Sequence, residues 1–554
     1  MADFKLSEYQ EKIQDFFLNH PHDNMLVNAL AGSGKSSTAC LLLEQVTQPS
    51  VYLAFNNSVV EEFKKRIKNP KVKIYTTHSI GYGIMLSNME EKGTSGGFGK
   101  RSSSSVNLDN LKIYKIVEEY LEKHDHAEFM EMLFLKENYV SLYNLARMTM
   151  ADMNNPDDIA RLIKGHGLFV DFEHGYNAPS KESATKAIQY INKRDWETFE
   201  NSSVIDFGGM LYITYWKLKR KEWKVPFYDL FFNIVVDESQ DLSLLQQSFL
   251  PFLKRKGGRF VLVGDERQAI CAYMGGNARA YANYYVAFAP IETFELPICY
   301  RCPTSHLTNV NRTFGIPILP RPDAPKGEIL KINKEDISRY AKGGDKIVSR
   351  YNRWLAPVVL DLATHGIPVC MPDKELVENL KKVVTKRAKK CPTTRALREW
   401  LDKDIRKYQE RVSKIVNSKT LNEEYKENLS LKEQAETVAD SNSKIDNINF
   451  ILEILKYYQH RSGNTSTADF QRYLDKLLNT SPSSECVTLS SVHKAKGLEA
   501  DNVFVLNEGK ICFDPRNSPE LQQQEKNLSY ISLTRAKNKM YLVKEPSAQN
   551  TKRG

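Results

Sequence analysis

Between an apolar run, Met25-Leu26-Val27, and a helix-compatible stretch beginning at Lys35 lies Ala29-Leu30-Ala31-Gly32-Ser33-Gly34-Lys35-Ser36. No other feature constrains the fold as strongly. A glycine-rich turn that leaves a strand and opens a helix points successive backbone N–H groups at one place, and the helix N-terminus adds a positive field there. The segment matches the phosphate-cradling pattern, with Ala29 in place of the first glycine. The backbone of Ala31, Gly32, Ser33 and Gly34, with Ser36 and Ser37 behind them, is expected to hold a nucleotide triphosphate. Lys35 is expected at the β/γ-phosphates and Ser36 on Mg2+, so a nucleoside triphosphate with Mg2+ is the expected ligand pair.

Such a turn belongs in a parallel α/β sheet, and the remaining pattern agrees. Strand-like runs recur at Val51–Phe55, Ile234–Val236 and Phe260–Val263, with helical stretches between them. A helix is expected from Ser7. Residues 94–105 are rich in Gly and Ser and read as a loop, and Leu108 to Trp196 reads as helical. A second α/β pattern starts near Glu295, is interrupted by a charged helical stretch at about 381–484, and resumes at Val487-Thr488-Leu489. The chain has 554 residues, too many for one core.

Composition narrows the class. Hydrophobic residues make up 41% and charged residues 26%, and no apolar run approaches the roughly 18 residues of a membrane span. The N-terminus lacks a basic-then-apolar signal pattern, so an intracellular location is expected and no membrane partner. Eight scattered cysteines read as reduced thiols, and the lone Cys299/Cys302 pair falls short of the four ligands of a structural zinc. The net charge of +10 fits a polyanionic partner. Part of it is concentrated in Lys381, Lys382, Lys386, Arg387, Lys389 and Lys390, which read equally as a solvated helix face.

Asp237-Glu238-Ser239-Gln240-Asp241 follows the apolar strand Ile234–Val236. A carboxylate at the end of a buried strand is where an acid would hold magnesium, the role expected of Asp237. Glu238 is then placed to take a proton from attacking water.

With this segment the chain resembles the superfamily 1 helicases of the UvrD/PcrA (Rep-like) type, and further motifs follow in that family's order. Gln10 in Leu6–Gln10 looks like the adenine-reading glutamine. Phe55-Asn56-Asn57 resembles motif Ia, Thr76–Ser79 motif Ib, and Asp206–Met210 the Asp-Phe segment before motif II. Gly264–Gln268 looks like motif III, Tyr300-Arg301 motif IV, Ser349–Asn352 motif IVa, Val492–Glu499 motif V, and Tyr530–Lys537 motif VI. The Ala-Phe-Asn-Asn and Thr-Thr-His-Ser runs are most similar to the F-box DNA helicase branch, although no F-box segment is evident.

The resemblance implies two RecA-like parallel-sheet motor domains, each with a helical insertion: 1–84 with 196–283, interrupted by 85–195, and 284–380 with 485–554, interrupted by a basic insertion at 381–484. It implies that Gln268 senses the γ-phosphate, Tyr300 stacks on adenine, Glu499 holds the ribose, and Arg301 and Arg535 reach the γ-phosphate from the second domain. It places DNA contacts at Phe55, Asn57, His78, Tyr273, Arg350, Asn352 and His493. Tyr273 stands where the family has a base-stacking tryptophan, but Ala272 and Met274 replace the usual flanking arginines, so a weaker grip is expected. The expected activity is ATP-driven 3′-to-5′ movement on single-stranded DNA with unwinding at single/double-strand junctions. Two rivals remain: a translocase that strips proteins and unwinds little, and a binding module that ATP merely switches. The sequence stops 19 residues after Arg535, leaving little room for the family's strand-separating hairpin. Weaker unwinding is therefore expected, with Phe513 as an alternative wedge.

Overall fold

The computed structural model describes residues 6–90, 106–124, 129–169, 178–270, 280–350, 354–371, 374–388, 390–416, 444–445, 447–452, 454–460, 465–480, 483–510 and 519–544. The 94–105 loop, Tyr273, Asn352 and Phe513 of the sequence reading lie outside them. The chain divides into two compact units. The first comprises Met1–Tyr300, Ile316–Pro322 and Phe513–Tyr530, and the second Arg301–Gly315, Asp323–Cys512 and Ile531–Gly554.

The first unit is built on a sheet of Asn24–Ala29 (β1), Ser50–Ala54 (β2), Val72–Thr76 (β3), Phe231–Val236 (β4), Lys254–Gly264 (β5) and Ile291–Leu296 (β6). Its order is β3-β2-β4-β5-β1-β6, and every pairing is parallel. Both faces are covered, which is why β1, β2 and β4 read as nearly continuous apolar runs. Along β2, Val51 and Leu53 enter one core while Tyr52 and Ala54 enter the other. Sequence reading placed the start of a second α/β pattern at about residue 295. Ile291–Leu296 instead pairs with β1 and completes the first sheet. It is an edge strand with only Leu296 buried, so its apolar signal is weak and its allegiance is set by pairing.

The stretch read as helical holds Lys112–His124, Phe129–Thr149, Pro156–His166 and Lys181–Ser202. A two-residue parallel pairing, Asn107–Leu108 with Val204–Ile205, draws its two ends together. Its core is continuous with one face of the sheet.

The second unit is a sheet of Glu328–Asn333 (β7), Lys346–Ser349 (β8), Val369–Cys370 (β9), Leu478–Asn479 (β10), Val487–Ser491 (β11), Ala500–Leu506 (β12) and Ala536–Lys544 (β13). All pairings are parallel and the order is β7-β13-β12-β8-β11-β9-β10. Helices Lys374–Ala388, Thr394–Val416 and Thr467–Leu477 share its core. The basic cluster lies mainly on the first of these. There Lys381 pairs with Asp475 at 3.2 Å, Lys382 with Glu378 at 3.8 Å, and Arg387 with Asp404 at 2.6 Å. Among the described residues, no helix is long and apolar enough to cross a membrane.

Candidate functional site

The chain leaves every parallel strand of the first sheet at the same edge, and the motifs collect there. The phosphate-cradling turn follows β1, Phe55-Asn56-Asn57 follows β2, and Thr77-His78 follows β3. Asp237-Glu238 follows β4, Asp265–Gln268 follows β5, and Tyr300 lies four residues past β6. This is the edge at which parallel α/β sheets bind ligands.

The turn has the shape that its sequence predicts. Gly32 and Gly34 take φ of +71° and +84°, which L side chains avoid. Helix Lys35–Glu44 starts at Gly34 with no side-chain cap, so its first N–H groups face outward to a ligand. Ser33 Oγ is enclosed without a hydrogen-bond partner. The turn is fixed from behind, since Leu30 N–H donates to Leu296 O at 3.1 Å and Tyr300 N–H to Gly32 O at 2.9 Å. Ser36 and Ser37 lie partly exposed in the first helical turn. Gln10 is brought beside the turn. Its amide is fully buried, with Nε2 donating to Thr38 Oγ1 at 3.0 Å and Oε1 accepting from Ser7 N–H at 3.1 Å.

The acids follow the same logic. Lys35 Nζ is 3.7 Å from Glu238 Oε2. Burial, and then the neighbouring Glu238 charge, push the Asp237 carboxyl up to about 6, against the Tyr52 hydroxyl that donates to it at 2.6 Å. Two adjacent acids under this strain, next to a lysine and an enclosed hydroxyl, fit a divalent cation carrying phosphate oxygens. Glu238 is also held at φ +47°, ψ +41°, a left-handed conformation unfavourable by about 1–2 kcal/mol for a non-glycine residue. Gln240 Nε2 donates to Glu238 Oε2 at 2.6 Å, and Gln240 Oε1 accepts from Asp265 N–H at 3.0 Å, joining the acid pair to the turn after β5. A Cβ on Gly264 would strike the Gln240 amide, so the close approach requires glycine. Gln268 is buried and donates through Nε2 to Asp265 Oδ2 at 2.6 Å.

The second unit gathers the remaining ATP-site candidates at the starting edge of its sheet. Ala500 and Ala536 are paired in register, which sets Glu499 beside Arg535. Arg301 Nε meets Glu499 Oε2 at 2.5 Å and Lys537 Nζ meets Glu499 Oε1 at 2.6 Å. Arg301 also donates to Thr534 O at 3.2 Å. Arg535 is buried, donating through Nε to Ile531 O at 2.9 Å. Burial holds the Lys346 ammonium below its usual range, with Glu499, Lys537, Arg535 and Arg301 all acting on it. Two cations thus pair with one carboxylate, and Lys346 feels that cluster and Arg535 together. Lys537 ends its motif with no role implied for it, and Lys346 lies outside the motifs, because a lysine on a strand carries no signal until register brings it into a cluster.

Of the expected DNA contacts, Phe55 is 38% exposed and Asn57 is exposed at the start of its helix. His78 is partly enclosed. Burial lowers its pKa to about 4, and its ring stacks on Phe207 with centroids 4.3 Å apart. Phe207, at 56% exposed, presents the open aromatic face. Phe207 lies inside the Asp206–Met210 segment, whose resemblance implies no role for it. Arg350 and His493 come together at the far edge of the second sheet, because Ser349 pairs in register with Ser491. Burial, and then Arg350, lower the His493 pKa to about 4. Both histidines are neutral at physiological pH and can contribute hydrogen bonds or packing but no charge.

Comparison with known proteins adds to this geometry. The UvrD/REP helicase N-terminal domain matches residues 10–289, and the UvrD-like helicase C-terminal domain matches residues 487–543. DNA helicase II of Salmonella typhimurium is 25% identical over 301 residues, covering 52% of this chain and 38% of that protein. ATP-dependent DNA helicase Rep of Buchnera aphidicola is 23% identical over 297 residues, 50% of this chain and 38% of its own length. F-box DNA helicase protein 1 of Schizosaccharomyces pombe is 24% identical over 294 residues, 50% of this chain and 29% of its own length.

Proposed function

The chain belongs to the UvrD/REP helicase family, and from that premise we propose that it hydrolyses ATP to move along single-stranded DNA, 3′-to-5′, and to open duplex at junctions. The match covers 38% of the first relatives' length, so activity, substrate and partners are proposed for this chain from its own residues. The observation that carries the reading is the uncapped glycine turn facing Lys35, Asp237 and Glu238 at one sheet edge.

In this reading the N–H groups of Gly32 and of Gly34 to Ser37 cradle the phosphates while Lys35 neutralises them; the Ala31 N–H is taken by the Tyr530 hydroxyl and the Ser33 N–H by Leu30 O. Ser36 and Asp237 would hold Mg2+, which would supply Lewis-acid polarisation of the phosphate. Glu238 accepts the proton of the attacking water. Gln268 turns from Asp265 to the γ-phosphate, and Tyr300 stacks on adenine. Glu499 takes the ribose and releases Arg301, which with Arg535 neutralises charge developing on the γ-phosphate; such an arginine is worth about 10³–10⁵ in rate. Phe55, Phe207 and Tyr273 offer stacking faces to successive bases, each worth about 1–3 kcal/mol. Asn57, His78, Arg350, Asn352 and His493 line the strand's path. The four-part division into two motor cores and two helical insertions belongs to the same proposal, with the first core continuing through β6.

The direct test is ATP hydrolysis with and without single-stranded DNA. The unaltered chain should be stimulated by the strand. Lys35→Ala and Glu238→Gln should abolish turnover, and Glu238→Gln should still bind Mg·ATP because Asp237 remains. Near-normal hydrolysis by either variant contradicts the assignment.

A further inference from the structure

Helix Pro519–Leu533 carries a buried phenol that the roles above leave unused. We propose that Tyr530 is a positioning residue whose hydroxyl, shared between the Ala31 amide and the Asp265 carboxylate, holds Asp265 in place while Gln268 leaves it for the γ-phosphate.

Tyr530 is 1% exposed. Its hydroxyl accepts from Ala31 N–H at 3.0 Å and lies 3.3 Å from Asp265 Oδ2. The amide hydrogen occupies one side of the phenol oxygen, so the hydroxyl hydrogen is directed to the carboxylate. Burial keeps this phenol protonated, as a donor must be. Gln268 Nε2 bonds the same oxygen, Asp265 Oδ2, at 2.6 Å, and Arg267 N–H bonds Asp265 Oδ1 at 3.1 Å. Asp265 is fully buried. If Gln268 turned away alone, Oδ2 would be left as a buried anionic oxygen short of a donor, which opposes the turn. A hydroxyl already aimed at that oxygen removes the opposition. One helical turn earlier, Asn527 Nδ2 donates to Ala269 O at 2.7 Å, just past Gln268. The helix is therefore tied to the chain on both sides of the Asp265–Gln268 turn. Because the hydroxyl also holds an amide of the phosphate-cradling turn, one group joins three segments that must respond to the same phosphate.

This inference rests on the proposed ATPase reading. Its test is a double-mutant cycle on DNA-stimulated hydrolysis, with Tyr530→Phe, Gln268→Ala and the pair. Phenylalanine keeps the ring and removes both hydrogen bonds. Tyr530→Phe should lower kcat about tenfold, with KM for ATP within about twofold. The pair should be no slower than Gln268→Ala alone, because Tyr530 acts through Gln268. Multiplicative losses in the pair, or an unchanged kcat in Tyr530→Phe, overturn the inference while the ATPase reading stands. Absence of hydrolysis by the unaltered chain overturns both. If Tyr530→Phe does not fold, Asp265→Asn replaces it, with the same non-additivity expected and the same additivity overturning the inference.

Discussion

Gln268 and Arg301, the two side chains expected to sense the γ-phosphate from β5 and from the second unit, are each bonded to a carboxylate: Asp265 at 2.6 Å and Glu499 at 2.5 Å. An acid that holds a sensor sets a threshold, because only a ligand offering comparable negative charge draws the sensor away. Asp237 sets a different threshold. Its carboxyl is pushed up to about 6 by burial and by Glu238, and Mg2+ needs it ionised. Hydrolysis should therefore fall as pH drops through about 6, above the ordinary carboxylate range. Raising Mg2+ should move that acid limb lower, since metal and proton compete for one group. A pH–rate profile at two Mg2+ concentrations checks this, and an acid limb that stays put contradicts Asp237 as the ligand. Residues of this kind were legible in sequence where the chemistry is local. Lys35, Ser36, Asp237 and Glu238 declare themselves by following a strand within a few positions. Tyr530 did not, because its partner Ala31 lies 499 positions away. Phe207 did not, because an aromatic side chain reads as core until its exposure is known.

Among the elements, the helical insertion of the first unit is tied to the sheet-bearing core by buried charge. Arg147, on helix Phe129–Thr149, bonds Asp206 through both terminal nitrogens, at 2.8 and 2.6 Å, and Asp195 at 3.4 Å. Lys112 meets Asp195 at 2.6 Å and the Tyr143 hydroxyl donates to it at 2.7 Å. Asp206 in turn accepts from Gly209 N–H at 3.0 Å, at the start of helix Gly209–Lys219. A Cβ on Gly208 would lie 2.7 Å from the Arg147 guanidinium, so the glycine admits the arginine. The Asp-Phe segment thus pairs a structural acid with the exposed Phe207. Arg147→Met should destabilise the chain by about 3–5 kcal/mol, because buried Asp206 loses its paired cation and Asp195 is left with Lys112 alone. Urea unfolding measures it, and a loss under about 1 kcal/mol contradicts the clamp. Sequence reading passed over Arg147 because one arginine in a helical stretch carries no spacing signal. Strands buried on both faces were legible as apolar runs. The edge strand β6, with one buried residue, was not, and the boundary near residue 283 moved for that reason.

At the scale of the whole molecule, each unit carries an all-parallel sheet with motifs collected at its edges. In the first unit one edge carries both the nucleotide candidates and the stacking faces. In the second, the starting edge carries Arg301, Glu499 and Arg535, and the finishing edge carries Arg350 and His493. The proposed ATP contacts and DNA contacts thus lie on the same sheet in each unit, the arrangement that the proposed hydrolysis-driven movement requires. The central claim is movement itself. The most direct measurement times the arrival of the protein at a fluorophore on the 5′ end of single strands of increasing length, in one round of ATP-driven movement. A lag that grows in proportion to strand length, and is absent with a 3′-end label, is the predicted result. A signal independent of length at both ends, with ATP being hydrolysed, would contradict translocation and leave only an ATP-switched binder.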